Sequence, residues 1–239
     1  MPMQTIRIDR RFRGPPTSGN GGYVAGLLGN AMGGVPCIVT LRMPPPLDRP
    51  LQLECDGTTA SLIDGDALVA SAVAGAVELV VPPSPTIEDA EAGEAGFTGF
   101  CHHIFPGCFV CGPERAVEDG LRIFPGRVDG PEGQVAALWR PDAGLADGDG
   151  HVRPEFLWAA LDCPGYFAVE KRSGAAVLGR MGAVIHRAVR AGEPVIVTGW
   201  PIASDGRKHQ VGTALHDGNG QRIAAALATW VSIPPPPSK

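Results

Sequence analysis

Several features are scarce or missing in this 239-residue sequence, and each absence excludes a class of protein. Lys and Arg number 20 against 25 Asp and Glu, without a dense basic block, so nucleic-acid binding has no electrostatic basis. The most apolar run, Leu68–Val81, carries Glu78 and is too short to cross a bilayer. The first residues, MPMQTIRIDRR, lack the apolar core of a signal peptide. We therefore expect a cytoplasmic protein with no nucleic-acid or membrane partner.

Three sequence motifs of well-known chemistry are also missing. The sequence has no G-x-S-x-G, no P-loop and no complete G-x-G-x-x-G, which argues against a serine hydrolase and against a nucleotide-binding protein. Six cysteines are too few for a disulfide-stapled scaffold of this length, so we expect free thiols. Hydrophobic residues make up 44% of the chain, which is enough for one large core or two modest domains.

Strand-like runs separated by turn signals fill most of the chain. Residues 82–96 have the Pro-, Ala-, Glu- and Asp-rich composition of a linker. It divides the chain into an N-terminal half, 1–95, and a C-terminal half, 96–239. The predicted strands are 3–12, 36–43, 51–56, 58–63 and 67–81 in the first half, and 120–124, 134–139, 175–189, 194–203, 208–216 and 222–233 in the second.

The two halves repeat the same order of elements. Each has a strand, then an apolar helix, then several antiparallel strands of which the last is long. The segment LIDGDALVASAVA at 62–74 aligns with LHDGNGQRIAAALA at 215–228, turn upon turn. The pattern predicts an α+β fold built by internal duplication, in which each half wraps one curved antiparallel sheet around one central helix.

The helix predicted in the second half carries an unusually placed acid. In HVRPEFLWAALDCPGYFA, at 151–168, Pro154 suits the first turn of a helix and Glu155 suits the positive end of its dipole. Asp162 comes just before Cys163-Pro164, where proline should kink or stop the helix. A carboxylate at a helix C-terminus is unfavourably placed, and burial there would raise its pKa and make it a candidate acid or base.

The helix predicted in the first half is dense in glycine. GNGGYVAGLLGNAMGG keeps an apolar face through Tyr23, Leu27 and Leu28, but each interior glycine costs about 1 kcal/mol relative to alanine. Such a helix must be held by its surroundings, and its glycines allow a backbone or a ligand to approach closely.

The order of these segments resembles that of hotdog-fold acyl-CoA thioesterases of the phenylacetate-degradation type. CFVCGPERAVEDG, at 108–120, followed by LRIF, resembles the opening of those enzymes. FLWAALDCPG resembles their central helix, GGYVAGLLGNAMGG resembles its glycine-glycine version, and residues 176–233 resemble the closing strands. The resemblance covers nearly the whole chain and implies a tandem double hotdog.

The resemblance also implies an activity and a site. In such enzymes a helix acid activates water or attacks the thioester carbonyl, and backbone amides at a helix N-terminus polarise that carbonyl. Asp162 corresponds to the acid, whereas the second half has Pro154-Glu155 where the glycine pair would be, and the first half has Gly29 where the acid would be. We therefore expect one site, hydrolysing an acyl-CoA without a cofactor, and a possible homodimer of double hotdogs. Its candidate substrate-binding residues are Asn20, Gly21, Gly22, Asn30 and Glu155.

Three other interpretations stay open at this point. The chain could bind acyl-CoA or lipid without catalysis, since the acid and the glycine pair lie in different halves. A hotdog dehydratase is less favoured, because its Asp-x-x-x-x-His pair is absent: Asp162 is followed five residues later by Phe167. The run CHHIFPGCFVC could bind zinc through a set drawn from Cys101, His102, His103, Cys108 and Cys111, but a packed strand fits Phe109-Val110, so no metal ligand is assigned.

Overall fold

A single antiparallel sheet of eleven strands forms the body of the protein in a computed structural model that describes residues 3–235. With its few helices, the fold belongs to the α+β class. The strands are β1 Met3–Arg7, β2 Cys37–Leu41, β3 Pro50–Cys55, β4 Thr59–Asp64, β5 Ala67–Ala74, β6 Gly126–Arg127, β7 Val135–Trp139, β8 Ala176–Ile185, β9 Val195–Asp205, β10 Lys208–Asp217 and β11 Arg222–Ser232.

The strand order repeats itself across the sheet. The order is β1-β3-β4-β5-β2 and then β8-β11-β10-β9-β7-β6, so the first five strands and β7–β11 are arranged alike. The two sets meet where β2 pairs with β8, with Val39 opposite Met181. The segments aligned in the sequence are both hairpins, β4–β5 and β10–β11.

Within residues 3–235, four α-helices accompany the sheet: α1 Gly21–Ala31, α2 Ile87–Glu94, α3 Pro154–Ala160 and α4 Cys163–Ser173. The apolar side chains of α1, α3 and α4 join those of the strands in one main core, whereas α2 packs in a small separate cluster. No helix within residues 3–235 is long and apolar enough to cross a membrane.

A stripe of glycines brings α1 into close contact with α3. A Cβ atom at Gly22 would lie 2.6 Å from Asp162 Cβ, and one at Gly26 would lie 2.6 Å from Glu155 Cα. A Cβ atom at Gly29 would lie 2.9 Å from the Trp158 ring. Positions 22, 26 and 29 share one face of α1. Because this face carries no side chains of its own, the backbone of α3 and the Trp158 ring can pack directly against it. The glycines that lower the helix propensity of α1 are therefore the residues that allow α1 to pack closely on α3.

The helix predicted at 151–168 is interrupted rather than ended. It continues as α4 to Ser173, and the break falls at Leu161-Asp162. Of the two outcomes predicted for Cys163-Pro164, a kink or a stop, the structure shows a kink. Pro164 has no N–H to donate to the preceding turn. The next N–H, that of Gly165, donates to the Asp162 carbonyl at 3.1 Å, so the Leu161 carbonyl accepts a hydrogen bond from Thr213 Oγ1 at 2.8 Å instead of one from the helix. Asp162 therefore ends one helix and occupies the N-cap position of the next.

Several sequence predictions differ from the structure, including the strand predicted at 67–81, which ends at Ala74. The proposed linker contains α2, whose capping box joins Thr86 and Asp89 and whose small buried face, Ala90 and Gly93, gives little hydrophobic signal. Residues 120–124 form no strand, but Leu121 and Ile123 donate backbone hydrogen bonds to the carbonyls of residues 109 and 110. The first strand ends at Arg7 because residues 10–12 form a 3-10 turn.

Replacing Gly26 by alanine should destabilise the protein although alanine favours helices by about 1 kcal/mol. The added methyl group would meet the backbone of α3, which cannot move aside like a flexible side chain. We expect the free energy of unfolding, measured in urea, to fall by about 1–3 kcal/mol. Gly148→Ala, where a Cβ atom meets nothing within 4 Å, is the control. Equal stability of the two variants would contradict the close helix contact.

Candidate active site

A cavity of about 530 Å³ opens beside the junction of α3 and α4. Its walls combine apolar side chains from the two central strands, β2 and β8, with the beginning of α1 and with the loop before residue 112. Asp162 lines it together with Asn20 and Gly21. Its apolar wall residues include Leu41, Ile104, Phe105, Tyr166, Leu178 and Trp230.

Asp162 is held by two donors from the start of α1. Asn20 Nδ2 donates to Asp162 Oδ2 at 2.8 Å, and the Gly22 backbone N–H donates to the same oxygen at 3.1 Å. The other carboxylate oxygen, Oδ1, is buried and has no hydrogen-bond partner among the described residues. The side chain thus has one oxygen held by two donors and one oxygen without a partner among the described residues.

Burial dominates the electrostatics of this carboxylate. Asp162 is only 2% exposed, and desolvation raises its pKa to about 7, against the opposing hydrogen bonds from Gly22 and Asn20. The nearby Cys108 also raises the pKa. A carboxyl group with this pKa is matched to proton transfer near neutral pH. Asp162 thus has the burial under which we expect a raised pKa, and its role as an acid or base stays a prediction.

The position of Asn20 follows from its role as the N-cap of α1. Its Oδ1 accepts the Tyr23 backbone N–H at 2.9 Å, so the amide is turned with Nδ2 toward Asp162. The Gly21 N–H has no protein acceptor within residues 3–235 and belongs to the unsatisfied first turn of the helix. Gly21 also lines the cavity.

Three thiols and an imidazole lie next to this carboxylate. The sulfur atoms of Cys108, Cys111 and Cys163 are within 4.8 Å of one another, and all three residues line the cavity. His103 Nε2 lies 3.3 Å from Cys111 Sγ. The neighbouring thiols lower the pKa of Cys108 well below its ordinary value, whereas burial raises those of Cys111 and Cys163. All six cysteines of the chain are free thiols.

The structure separates the remaining predicted site residues from this cavity. Asn30 Nδ2 donates to Glu155 Oε2 at 2.7 Å, at the opposite end of the α1–α3 contact. Glu155 also lies 3.4 Å from Arg153 Nε. Neither residue lines the cavity that contains Asp162. Asn20, Gly21, Gly22 and Asp162 therefore form one group, and Asn30 and Glu155 form another.

Sequence reasoning missed Cys163 and the apolar walls of the cavity. The sequence marks Cys163 only as the residue before a proline and gives no sign that its thiol lies at the site, although Cys163 directly follows Asp162 at the helix junction. The walls come from Leu41 and Leu178, on strands 137 residues apart that pair across the centre of the sheet, which no local pattern reveals. The C-x-x-C spacing of Cys108 and Cys111 was a usable signal.

Comparison with known proteins identifies the architecture. No family model matches the sequence, and no curated protein does so either. The structure matches the tesB protein of Mycobacterium avium subspecies paratuberculosis over 97% of this chain and 93% of that one, with a TM-score of 0.64 at 14% identity. A hot dog fold protein of unknown function from Alicyclobacillus acidocaldarius matches over 98% and 94% of the two chains, with a TM-score of 0.62 at 11% identity.

The chain has the hotdog fold. A further solved structure, described as that of a putative thioesterase II from Thermobifida fusca, matches over 97% of this chain and 92% of that one, with a TM-score of 0.63 at 12% identity. The predicted hotdog architecture is confirmed by these near full-length matches. At 11–14% identity, the similarity to these structures establishes the fold alone.

Replacing Asn20 by alanine should destabilise the chain more than the loss of a helix cap alone. The cap contributes about 1 kcal/mol, and a hydrogen bond to a charged group adds about 1.5–3 kcal/mol. The matched control is Thr86→Ala, which removes the cap of the short helix α2 without touching Asp162. Urea unfolding of both variants measures the difference. If Asn20→Ala costs no more than Thr86→Ala, the bond to Asp162 contributes nothing to stability.

Proposed function

We propose that the protein is a tandem double hotdog that hydrolyses an acyl-CoA thioester at a single site, with Asp162 as the general base. The observation that carries the proposal is the buried carboxylate at the wall of an apolar cavity, with Oδ2 held by Asn20 and Gly22 and with Oδ1 free. The thioesterase name of the matching Thermobifida fusca structure is consistent with it.

The double-hotdog interpretation rests on the repeated strand order. In each set of five strands, one strand precedes the central helix and four follow it, with α1 as the helix of one half and α3–α4 as that of the other. The sequence predicts halves at 1–95 and 96–239, which puts α2 in the first half. Helix α2 packs on β7 and β9 through Ala90, Ala136 and Ile196, which favours assigning this helix to the second half and moving the boundary to the segment between β5 and α2. Pairing of two such chains stays a prediction.

The cavity suits an acyl chain better than a polar substrate. Its volume of about 530 Å³ lies in the range of small-ligand sites, which is roughly 300–1,000 Å³. Leu41, Leu178 and Trp230 offer apolar walls to the chain, and Arg42 adds a cation at the lining that suits a phosphate of coenzyme A. The thioester carbonyl would then lie between the walls and the start of α1.

Each group has a defined part in the proposed reaction. Asp162 Oδ1 accepts a proton from a water molecule as the water oxygen adds to the thioester carbonyl carbon. The negative charge that develops on the carbonyl oxygen is stabilised by the free Gly21 N–H at the positive end of α1. Collapse of this intermediate breaks the carbon–sulfur bond. The coenzyme A thiolate takes up the proton held by Asp162, which leaves a carboxylic acid and a free thiol.

A second site at the opposite end of the helix pair is not part of the proposal. The repeat places Glu155 and Gly29 there, in the positions of Gly22 and Asp162. The carboxylate of Glu155 accepts a hydrogen bond from Asn30 and lies beside Arg153. Glu155 does not line the cavity that contains Asp162. One active site per chain is therefore the expected stoichiometry.

A non-catalytic acyl-CoA binder is the second candidate. The observation in its favour is that the Gly22 N–H and the Asn20 amide both donate to Asp162, so neither is free to polarise a thioester carbonyl. A binder of this kind would take up acyl-CoA in the same cavity without releasing coenzyme A. Binding of acyl-CoA in a calorimeter, together with no release of coenzyme A in the hydrolysis assay, would distinguish this binder from a thioesterase.

The test is hydrolysis of a panel of acyl-CoA thioesters, followed by the loss of thioester absorbance. The wild-type protein should release coenzyme A from at least one of them. Asp162→Asn keeps the size of the side chain and removes the base, so kcat should fall by about a hundredfold or more. Asp66→Asn, in the exposed β4–β5 turn, is the matched control and should leave kcat unchanged.

Two results would contradict the proposal. One is the absence of hydrolysis across the panel by folded wild-type protein. The other is a kcat for Asp162→Asn equal to that of the wild type, provided that circular dichroism shows both to be folded.

A further inference from the structure

The three thiols beside Asp162 come from segments that are remote in sequence. Cys108 and Cys111 lie in the loop before residue 112, and Cys163 begins α4, more than fifty residues later. All three are buried, and their sulfur atoms converge to within 4.8 Å of one another. Three sulfur atoms at such separations have a common point no farther than about 2.8 Å from each, close to the 2.3 Å length of a zinc–thiolate bond.

One sulfur–sulfur distance agrees with a tetrahedral ion in detail. Cys108 Sγ and Cys163 Sγ are 3.8 Å apart. Two ligands at 2.3 Å and a tetrahedral angle are separated by about 3.8 Å. The same distance is far longer than the roughly 2.05 Å of a disulfide bond. A disulfide would also leave one of the three thiols without a partner.

The turn that carries two of the cysteines is closed in a way that only glycine permits. The Gly112 N–H donates to the Cys108 carbonyl at 3.0 Å, so the C-x-x-C segment folds back on itself. A Cβ atom at Gly112 would lie 2.5 Å from both the Cys108 and the Pro106 carbonyl oxygens. This tight turn places Cys108 and Cys111 side by side. The spacing is a common half-site for zinc.

His103 supports the cluster as a hydrogen-bond donor rather than as a ligand. The Phe105 backbone N–H donates to His103 Nδ1 at 3.0 Å, so in the neutral ring the proton lies on Nε2. That N–H faces Cys111 Sγ at 3.3 Å. Asn20 Nδ2 lies 3.9 Å from Cys108 Sγ. Two of the three sulfur atoms thus have nitrogen donors beside them, as the outer shell of a thiolate–metal site does.

We infer that Cys108, Cys111 and Cys163 bind a zinc ion through three thiolates, with the remaining coordination position facing the cavity. All three sulfur atoms bind as thiolates, so each one that carries a proton releases it to solvent on binding, and no electron is transferred. Soft thiolate ligands in a tetrahedral arrangement select zinc over magnesium or calcium. Because all three residues line the cavity, its contents supply the fourth ligand. Cys101 and His102, also candidates from the sequence, are exposed and lie outside the cluster.

The ion would fix the position of Asp162. The ion would join the loop before residue 112 to Cys163, the first residue of α4. Asp162 directly precedes Cys163 in the chain. Without the ion, this junction would be held by hydrogen bonds and packing alone. This inference goes beyond the proposed hydrolysis, because zinc content is measured without substrate. A protein that binds zinc without hydrolysing thioesters, or the reverse, separates the two proposals.

Zinc content of the full-length protein, purified without chelators, is the direct test. Elemental analysis should give about one zinc per wild-type chain and less than a tenth of that for Cys163→Ala. Cys37→Ala, which removes a buried free thiol outside the cluster, is the matched control and should keep the wild-type content. After zinc removal, Co²⁺ should produce thiolate-to-metal charge-transfer absorption in the wild type and in Cys37→Ala, but not in the double variant Cys108→Ala/Cys111→Ala.

Several results would overturn the inference. Wild-type protein with less than a tenth of a zinc per chain and no cobalt charge-transfer band would do so, and this measurement does not depend on the folding of any variant. Undiminished zinc in folded Cys163→Ala would exclude that ligand. A Cys108–Cys163 disulfide in freshly purified protein, or iron or copper in place of zinc, would equally exclude the site as assigned.

Discussion

The contact between α1 and α3 is the constraint on which the site depends. It brings the start of one helix to the end of the other, so that Gly22 touches Asp162 without an intervening side chain. A carboxylate buried this deeply needs donors, and it takes them from the N-cap and the first turn of α1. The glycines that weaken α1 as a helix are thus what allow an acid to be buried and oriented at the junction.

The break between α3 and α4 serves the same end. Pro164 prevents a continuous helix, and the kink places Asp162 at a point where α3 ends and α4 begins. From the sequence the acid looked unfavourably placed at a helix C-terminus. In the structure it also precedes α4 and faces the positive end of α1. Desolvation nevertheless dominates and keeps its pKa high.

How far the sequence predicts this molecule depends on the range of the interaction. Long alternating strands and their turns, such as Asp64-Gly65-Asp66, were predictable because the signal is local. Helix α2 was not, because Ala90 and Gly93 form a buried face too small to stand out in hydropathy. Asp162, Asn20, Gly21 and Gly22 were predicted from the resemblance, and the structure brings these four together. The approach of Cys163 to Cys108 depends on tertiary folding, and the pairing of Glu155 with Asn30 does so too.

The most direct test of the account is a crystal structure with an acyl-CoA analogue in which a methylene group replaces the thioester sulfur. The account predicts the acyl chain between Leu41 and Leu178, with the ketone oxygen within hydrogen-bond distance of the Gly21 N–H and the carbonyl carbon beside Asp162 Oδ1. An analogue bound elsewhere on the chain, or one bound in the cavity with its carbonyl turned away from Asp162, would contradict it.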